Sequence, residues 1–105
     1  VHPVAVMGAA RIGCRTLAQA AAQPGRKLRL AVTRLPGWTG GKGFFISDGV
    51  TYAVAIPTGK LGTPRPWQPL VLTGRWSTDE WGGSWVQVEA WEAVGVAATG
   101  RQQGS

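Results

Sequence analysis

KLRLAVTR, residues 27–34, is the segment whose pattern most clearly predicts a structural element. Its apolar residues Leu28, Leu30 and Val32 occupy every second position. Because successive side chains of a strand point to opposite sides, these three residues share one face, while the other face carries basic residues such as Arg29. The segment therefore predicts a half-buried strand with a basic outer surface.

Further short apolar segments on both sides of this strand predict strands at residues 4–7, 49–56, 70–76 and 84–91. Residues 9–26 are ambiguous between a helix and a loop. Sixteen glycines and seven prolines interrupt the chain too often for long helices. Short strands joined by long loops favour a closed barrel, because closure leaves no free sheet edge. We therefore predict an all-β fold, a five-stranded Greek-key OB-fold barrel at 1–96, and a flexible polar tail at 97–105.

Aromatic and basic residues lie together in the predicted loops. Residues 36–43 contain four glycines, which favours a flexible loop, and this loop carries Trp38 and Lys42. An exposed indole on such a loop is costly unless a ligand covers it, so a binding loop is the preferred interpretation. The proline-rich loop at 57–69 and the turn at 77–83 add Lys60, Arg65, Trp67 and Trp81.

The composition points to a polyanionic partner. Eleven Lys and Arg residues against five Asp and Glu residues give a formal charge of +6. Six tryptophans exceed what a core of this size holds, so several are expected at a surface, groove or interface. A groove for single strands needs cations that follow the phosphates and flat rings that stack on bases. The composition therefore favours single-stranded nucleic acid as the partner.

Other classes of protein have less support. His2 and Cys14 are the single histidine and cysteine, which leaves no catalytic dyad, no metal-site spacing and no intrachain disulfide. Gly40-Gly41-Lys42 lacks the Ser or Thr and the helix of a phosphate-binding loop. No apolar run approaches the ~20 residues of a membrane span. We expect a cytoplasmic protein without enzymatic activity, metal, cofactor, signal peptide or membrane segment.

Several segments match one family in order and spacing. Leu30-Ala31-Val32 matches its Leu-Ala-Val strand, Gly59-Lys60-Leu61 its Gly-Lys-Leu segment, and Gly74-Arg75 the end of its apolar strand. Trp81 lies seven residues after Gly74, and Trp38 lies fourteen residues before Tyr52, near two of its base-stacking tryptophans. Over residues 3–96 the chain thus resembles the bacterial single-stranded DNA-binding proteins, which are homo-oligomeric OB-folds.

This resemblance implies binding of single-stranded DNA without sequence preference, in replication, recombination or repair. It also implies a homo-oligomer, a dimer or a tetramer. Base stacking would be the role of Trp38, Tyr52 and Trp81. Phosphates would lie near Arg34, Lys42, Lys60 and Arg75.

The chain also departs from the family pattern. Thr58 stands where the family has a stacking Phe, and Ala53 where it has a His that helps the subunits meet. A short loop at 63–67 replaces the family's helix between the third and fourth strands. In this loop, Arg65 and Trp67 are candidates to compensate for the difference. The family's acidic C-terminal tip has no counterpart in these residues, so either the chain is trimmed or it is a divergent member without the role of that tip. Primosomal OB proteins are alternative relatives.

Several alternatives stay open at the level of the sequence. Trp38 can be a lid on the barrel end, Trp81 a hairpin residue packed on its neighbours, and Tyr52 a core residue. Trp76 is expected in the core. Trp85 and Trp91 are expected to face outward, as candidates for a subunit interface. Alternative functions are a protein-interaction subunit, an RNA-binding module and a sugar-binding barrel.

Overall fold

The computed structural model describes residues 13–94, which form a closed barrel of five strands preceded by one short helix. The elements are α1 (Leu17–Ala21), β1 (Lys27–Leu35), β2 (Phe44–Ser47), β3 (Tyr52–Pro57), β4 (Pro69–Thr78) and β5 (Ser84–Ala93). Around the barrel the order is β1-β2-β3-β5-β4, and β4 pairs with β1 to close it. β3 and β5 are parallel, and all other pairs are antiparallel. This all-β barrel confirms the predicted fold class.

The structure contains one strand that the sequence did not predict. β2 follows the glycine-rich loop directly, and Phe44, Phe45 and Ile46 form an apolar run without the alternation that marks a half-buried strand. In the barrel, Phe44 and Ile46 point inward, whereas Phe45 is only half-buried. The predicted strand at 4–7 and the predicted tail at 97–105 lie outside the described residues.

The core draws apolar side chains from every strand. The predicted inner face of β1, formed by Leu28, Leu30 and Val32, is buried as expected. Trp76 packs against this core, which confirms the expectation for that residue. The largest completely buried side chains on the other strands are Phe44, Ile46, Leu70, Leu72, Val86 and Val88.

A β-bulge changes which side of β5 faces the core. The register between β4 and β5 shifts by one residue, and Glu89 is the additional residue on β5. Beyond the bulge, Trp91 pairs with Leu72 and packs against the core, whereas Ala90 is exposed. The expected outward position of Trp91 is therefore wrong, because strict alternation ends at the bulge.

The pairing directions define two ends of the barrel. At the loop end, β1, β3 and β5 finish and β2 and β4 begin, so the loops at 36–43 and 58–68 both lie there. At the opposite end, the helix end, lie the β2–β3 turn at 48–51 and the β4–β5 hairpin at 79–83. The helix α1 belongs to this end, since its Leu17 amide bonds to the turn residue Asp48.

The helix α1 is short, and local capping and long-range contacts both stabilise it. The hydroxyl of Thr16 accepts a hydrogen bond from the Gln19 amide at 3.0 Å, and the Gln19 side chain accepts one from the Thr16 amide at 2.8 Å. Leu17 and Ala20 are buried in the barrel core. Because an isolated five-residue helix is unstable in water, this burial is what retains it.

Asp48 connects α1 to the β2–β3 turn. It is the one buried charged or polar residue among those described, and its carboxylate accepts hydrogen bonds from the amides of Leu17 (3.0 Å), Val50 (2.9 Å) and Thr51 (3.0 Å). Burial alone raises the pKa of the Asp48 carboxyl, but the amide hydrogen bonds outweigh burial and leave the pKa below its usual value. The ionised carboxylate therefore stabilises the folded state.

We predict that Asp48→Asn lowers the free energy of unfolding by about 1–3 kcal/mol at neutral pH. Because the folded-state pKa is depressed, the contribution of Asp48 is complete above the unfolded-state pKa and is lost as pH falls through the folded-state pKa. Urea unfolding across acid pH should therefore show the wild-type advantage shrinking. Glu80→Gln, which removes an exposed hairpin carboxylate, is the control. The difference in free energy of unfolding between wild type and Glu80→Gln should change less with pH. A gap between wild type and Asp48→Asn that is independent of pH contradicts the prediction.

Candidate nucleic-acid interface

Four aromatic side chains are strongly exposed among residues 13–94. The exposed fractions are 81% for Trp38, 69% for Tyr52, 66% for Trp67 and 83% for Trp81. Trp38 is therefore not folded back as a lid, Tyr52 is not in the core, and Trp81 is not packed on its hairpin neighbours. Exposure of this much aromatic surface on a small domain is typical of a binding site.

The outer face of β1, β2 and β3, which runs from the loop end to the helix end, is partly apolar. Leu35, Phe45 and Val54 are paired across the three strands, so they form one row on the same side of the sheet. All three side chains are half-buried. The next row contains Tyr52, paired with Ser47. This surface, the β1–β2–β3 face, includes the β2–β3 face that OB-folds use, with the β1–β2 and β4–β5 loops, to bind oligonucleotides.

The β1–β2 loop at 36–43 presents Trp38 and Lys42 at the loop end of the barrel. Gly43 lies so close to β3 that a Cβ at this position would be 2.8 Å from the carbonyl oxygen of Ala55. The hydroxyl of Thr39 donates to the Gly43 carbonyl at 2.9 Å, which ties the loop to its own base. The base of the loop is therefore anchored beside the sheet, while Trp38 and Lys42 are exposed.

The β4–β5 hairpin presents Trp81 at the helix end. The Asp79 carboxylate accepts hydrogen bonds from the amides of Trp81 (2.9 Å) and Gly83 (2.7 Å). The Asp79 amide in turn donates to the Gly83 carbonyl at 3.0 Å. A Cβ at Gly83 would be 2.7 Å from the second Asp79 oxygen, so glycine permits this closed arrangement. Trp81 is thus held on a short, internally bonded turn.

Arg34 has a structural role. Its Nη1 donates to the carbonyl of Pro64 at 2.7 Å, and its guanidinium carbon is 5.7 Å from the centre of the Phe44 ring. On β1 it pairs with the inward-facing Ile46, and its side chain is half-buried. Arg34 therefore connects the loop at 58–68 to the barrel end rather than presenting its charge to solvent on the β1–β2–β3 face.

Arg75 lies on β4, across the barrel from β2 and β3. Its Nε donates to the Glu89 carboxylate at 2.8 Å, and its Nη1 donates to the Gly25 carbonyl at 3.1 Å. Lys27 also pairs with Glu89, at 3.2 Å. Hydrogen bonds from Arg75 and Lys27 hold the pKa of the Glu89 carboxyl below its usual value. The structure thus separates Arg75 from the other predicted site residues and places it beside an acidic partner.

Trp85 and Thr58 lie beside β3 and are joined through Gln87. The Trp85 indole donates to the Gln87 side chain at 3.2 Å, and the Gln87 amide donates to the Thr58 hydroxyl at 3.0 Å and the Ile56 carbonyl at 3.1 Å. Trp85 is half-buried. The Trp91 indole donates to the Gly62 carbonyl at 2.9 Å, which connects β5 to the loop at 58–68.

The charges are unevenly distributed between the two ends. The two loops at the loop end carry the exposed cations Lys42, Lys60 and Arg65 and contain no Asp or Glu. The helix end carries three acids, which are Asp48, Asp79 and Glu80, together with the cations Arg26 and Lys27 where β1 begins, so positive and negative charges are mixed there. A polyanion is therefore attracted most strongly to the loop end.

The structure divides most of the predicted site between the two ends of the barrel. Trp38, Lys42, Lys60, Arg65 and Trp67 share the loop end, and Tyr52 and Trp81 share the helix end. Sequence reasoning missed the apolar row of Leu35, Phe45 and Val54. The consecutive phenylalanines 44 and 45 were the sequence signal for this row. Which of the two faces outward could not be assigned without knowing that β2 runs through these residues.

Comparison with known proteins finds no matching protein-family model and no matching curated protein. Within residues 13–94 no helix is both long and apolar enough to cross a membrane. The same residues contain no cluster of three His, Cys, Asp or Glu side chains that could hold a metal ion.

We predict that Asp79→Ala loosens the Trp81 hairpin, because two backbone amides lose their common acceptor. Loss of a hydrogen bond worth about 1 kcal/mol corresponds to roughly fivefold faster amide hydrogen exchange at Trp81 and Gly83, measured by NMR. Asp79→Asn retains an acceptor oxygen and should change exchange less. Glu80→Ala is the neighbouring control and should leave these amides unchanged; equal exchange in all variants would refute the role of Asp79.

Proposed function

We propose that this chain binds single-stranded nucleic acid, with single-stranded DNA as the preferred ligand, and performs no chemistry on it. The observation that carries the proposal is the set of exposed rings at both ends of the β1–β2–β3 face, combined with a cationic loop end. Trp38 and Trp81 lie in the two loops that OB-folds use for oligonucleotides, and Tyr52 lies on the sheet.

The mechanism divides between the two kinds of side chain. Lys42, Lys60 and Arg65 neutralise phosphates and release counterions, which drives binding and makes it sensitive to salt. Trp38, Tyr52 and Trp81 stack on bases of any sequence. Because the bases of a duplex are already stacked on each other, the rings favour single strands. Relationship to the bacterial single-stranded DNA-binding proteins, and a role in replication, recombination or repair, belong to the same proposal.

A protein-interaction role is the second candidate, and the apolar row of Leu35, Phe45 and Val54 favours it. Half-buried apolar side chains on an outer sheet face are also found where subunits of an oligomer meet. The two functions differ in their salt dependence. Association through apolar side chains persists at high salt, whereas binding to phosphates weakens.

We predict that oligo-dT quenches the intrinsic tryptophan fluorescence and that the apparent affinity falls as salt rises. Titrations with oligo-dT, oligo-U and a duplex of equal length, each at two salt concentrations, test ligand class and salt dependence together. Duplex DNA should bind more weakly than either single strand. A flat oligo-dT titration at low salt contradicts the proposed function.

Individual rings should contribute measurably to affinity. Trp38→Ala and Trp81→Ala should each weaken oligo-dT binding by about 1–3 kcal/mol, because each removes one stacking platform. The affinity is measured by the anisotropy of a labelled oligonucleotide, so that loss of a tryptophan does not remove the signal. Val50→Ala is the control, since Val50 is 90% exposed at the helix end but has no ring. Affinities of both Trp variants equal to wild type would remove these residues from the site.

The cations of the loop end should set the salt dependence. Replacing Lys42, Lys60 and Arg65 together by Gln should reduce the slope of log affinity against log salt by up to about 2, since each phosphate contact with a single strand contributes about 0.7. The matched control replaces the exposed Arg15, Arg26 and Arg29 by Gln. Both variants lose three positive charges, from +6 to +3. Equal slopes for the two variants would show that net charge, not the loop end, controls binding.

A further inference from the structure

Trp67 has an unusual backbone conformation. Its φ is 67°, and it is the one residue other than glycine with a positive φ among residues 13–94. A side chain with a Cβ is disfavoured in this left-handed region, and such strain persists where surrounding contacts impose it, often at functional sites. Burial of the indole does not compensate, because Trp67 is 66% exposed.

Hydrogen bonds to β1 impose this conformation. The Trp67 amide donates to the Arg34 carbonyl at 2.6 Å, and the Arg34 amide donates to the Gln68 carbonyl at 3.0 Å. The loop therefore continues the pairing of β4 with β1 by two residues. A glycine at position 67 would satisfy the same amide bond without strain, so the backbone does not explain why an indole is present.

Burial and hydrogen bonds also anchor the neighbouring residues of the segment 64–68. Pro64 is completely buried, and its carbonyl accepts the hydrogen bond from Arg34. The Arg65 amide donates to the Gln68 side chain at 3.0 Å, and the Gln68 amide donates to the Arg65 carbonyl at 3.1 Å. Arg65 and Trp67 are thus exposed side chains on a well-supported segment.

The surroundings of Trp67 are suited to a nucleotide. Residue 34, to which Trp67 is bonded, lies four positions before Trp38, so both exposed indoles extend from the same barrel end. The exposed cations Lys42, Lys60 and Arg65 belong to the same two loops, which contain no acid. An exposed ring beside cations offers a base a stacking surface and its phosphate a counter-charge.

We propose that the segment 64–68 is a second stacking site for an unpaired base, separate from the β1–β2–β3 face. This inference rests on the proposed function. In it, the nucleic acid continues from the sheet face over the loop end of the barrel. Trp67 supplies the ring, Arg65 and Lys60 neutralise the phosphates, and the hydrogen bonds to Arg34 fix the backbone that carries the ring before the ligand arrives.

The test compares Trp67→Ala, Trp67→Gly and Trp67→Phe with wild type, using labelled oligo-dT and urea unfolding. Both Ala and Gly should weaken binding at least about fivefold, because the ring is absent, and Phe should retain most of the affinity. Trp67→Gly should unfold at a higher urea concentration than Trp67→Ala, because glycine adopts the left-handed conformation without strain. Loss of binding in Trp67→Gly, with stability no lower than that of wild type, distinguishes a ligand-binding ring from a structural one.

The outcomes separate this inference from the proposed function. If wild type binds oligo-dT and Trp67→Ala and Trp67→Gly bind equally well, the second stacking site is refuted while the proposed function stands. If wild type does not bind oligo-dT at low salt, both are refuted. If Trp67→Phe loses as much affinity as Trp67→Ala, then position 67 does not contribute to binding by stacking a ring on a base.

Discussion

The double pairing of β1 is the interaction on which the rest of the structure depends. Along Lys27–Thr33 this strand pairs with β4, and along Thr33–Leu35 it pairs with β2. A single strand thereby joins the two sides of the sheet and closes the barrel, which removes both free edges. The same strand carries Leu28, Leu30 and Val32 into the core, so closure and burial of the apolar face occur together.

Closure also determines where the loops lie. Because β1 ends at the loop end, Arg34 lies beside the segment 64–68. Its backbone and side chain form hydrogen bonds with this segment, and the residues that follow it lead into the loop at 36–43. At the helix end, Asp48 performs the corresponding role for α1 and the β2–β3 turn. One half-buried cation and one buried carboxylate thus stabilise the two ends, and the exposed rings are carried on segments supported by these contacts.

The distribution of charge follows from the same topology. The acids Asp48 and Asp79 serve turns at the helix end, where their carboxylates accept hydrogen bonds from backbone amides. The loop end depends instead on glycines, a buried proline and Arg34, and its exposed cations have no acid in the same loops. A ligand that crosses the β1–β2–β3 face therefore meets rings at both ends but strong positive charge at one.

The sequence by itself determined the barrel class, four of the strands among residues 13–94, and the loop positions of Trp38, Trp67 and Trp81, because alternation and clusters of glycine and proline are properties of short segments. The exposure of these three indoles was decided by the tertiary structure. Tertiary structure decided the position of β2, the reversal of Trp91 at the bulge, and the engagement of Arg34 and Arg75. Those two arginines bond to carbonyls 30 and 50 residues away in the chain, at Pro64 and Gly25. Local periodicity contains no information about partners so distant, since they meet only when β1 and β4 pair and the barrel closes.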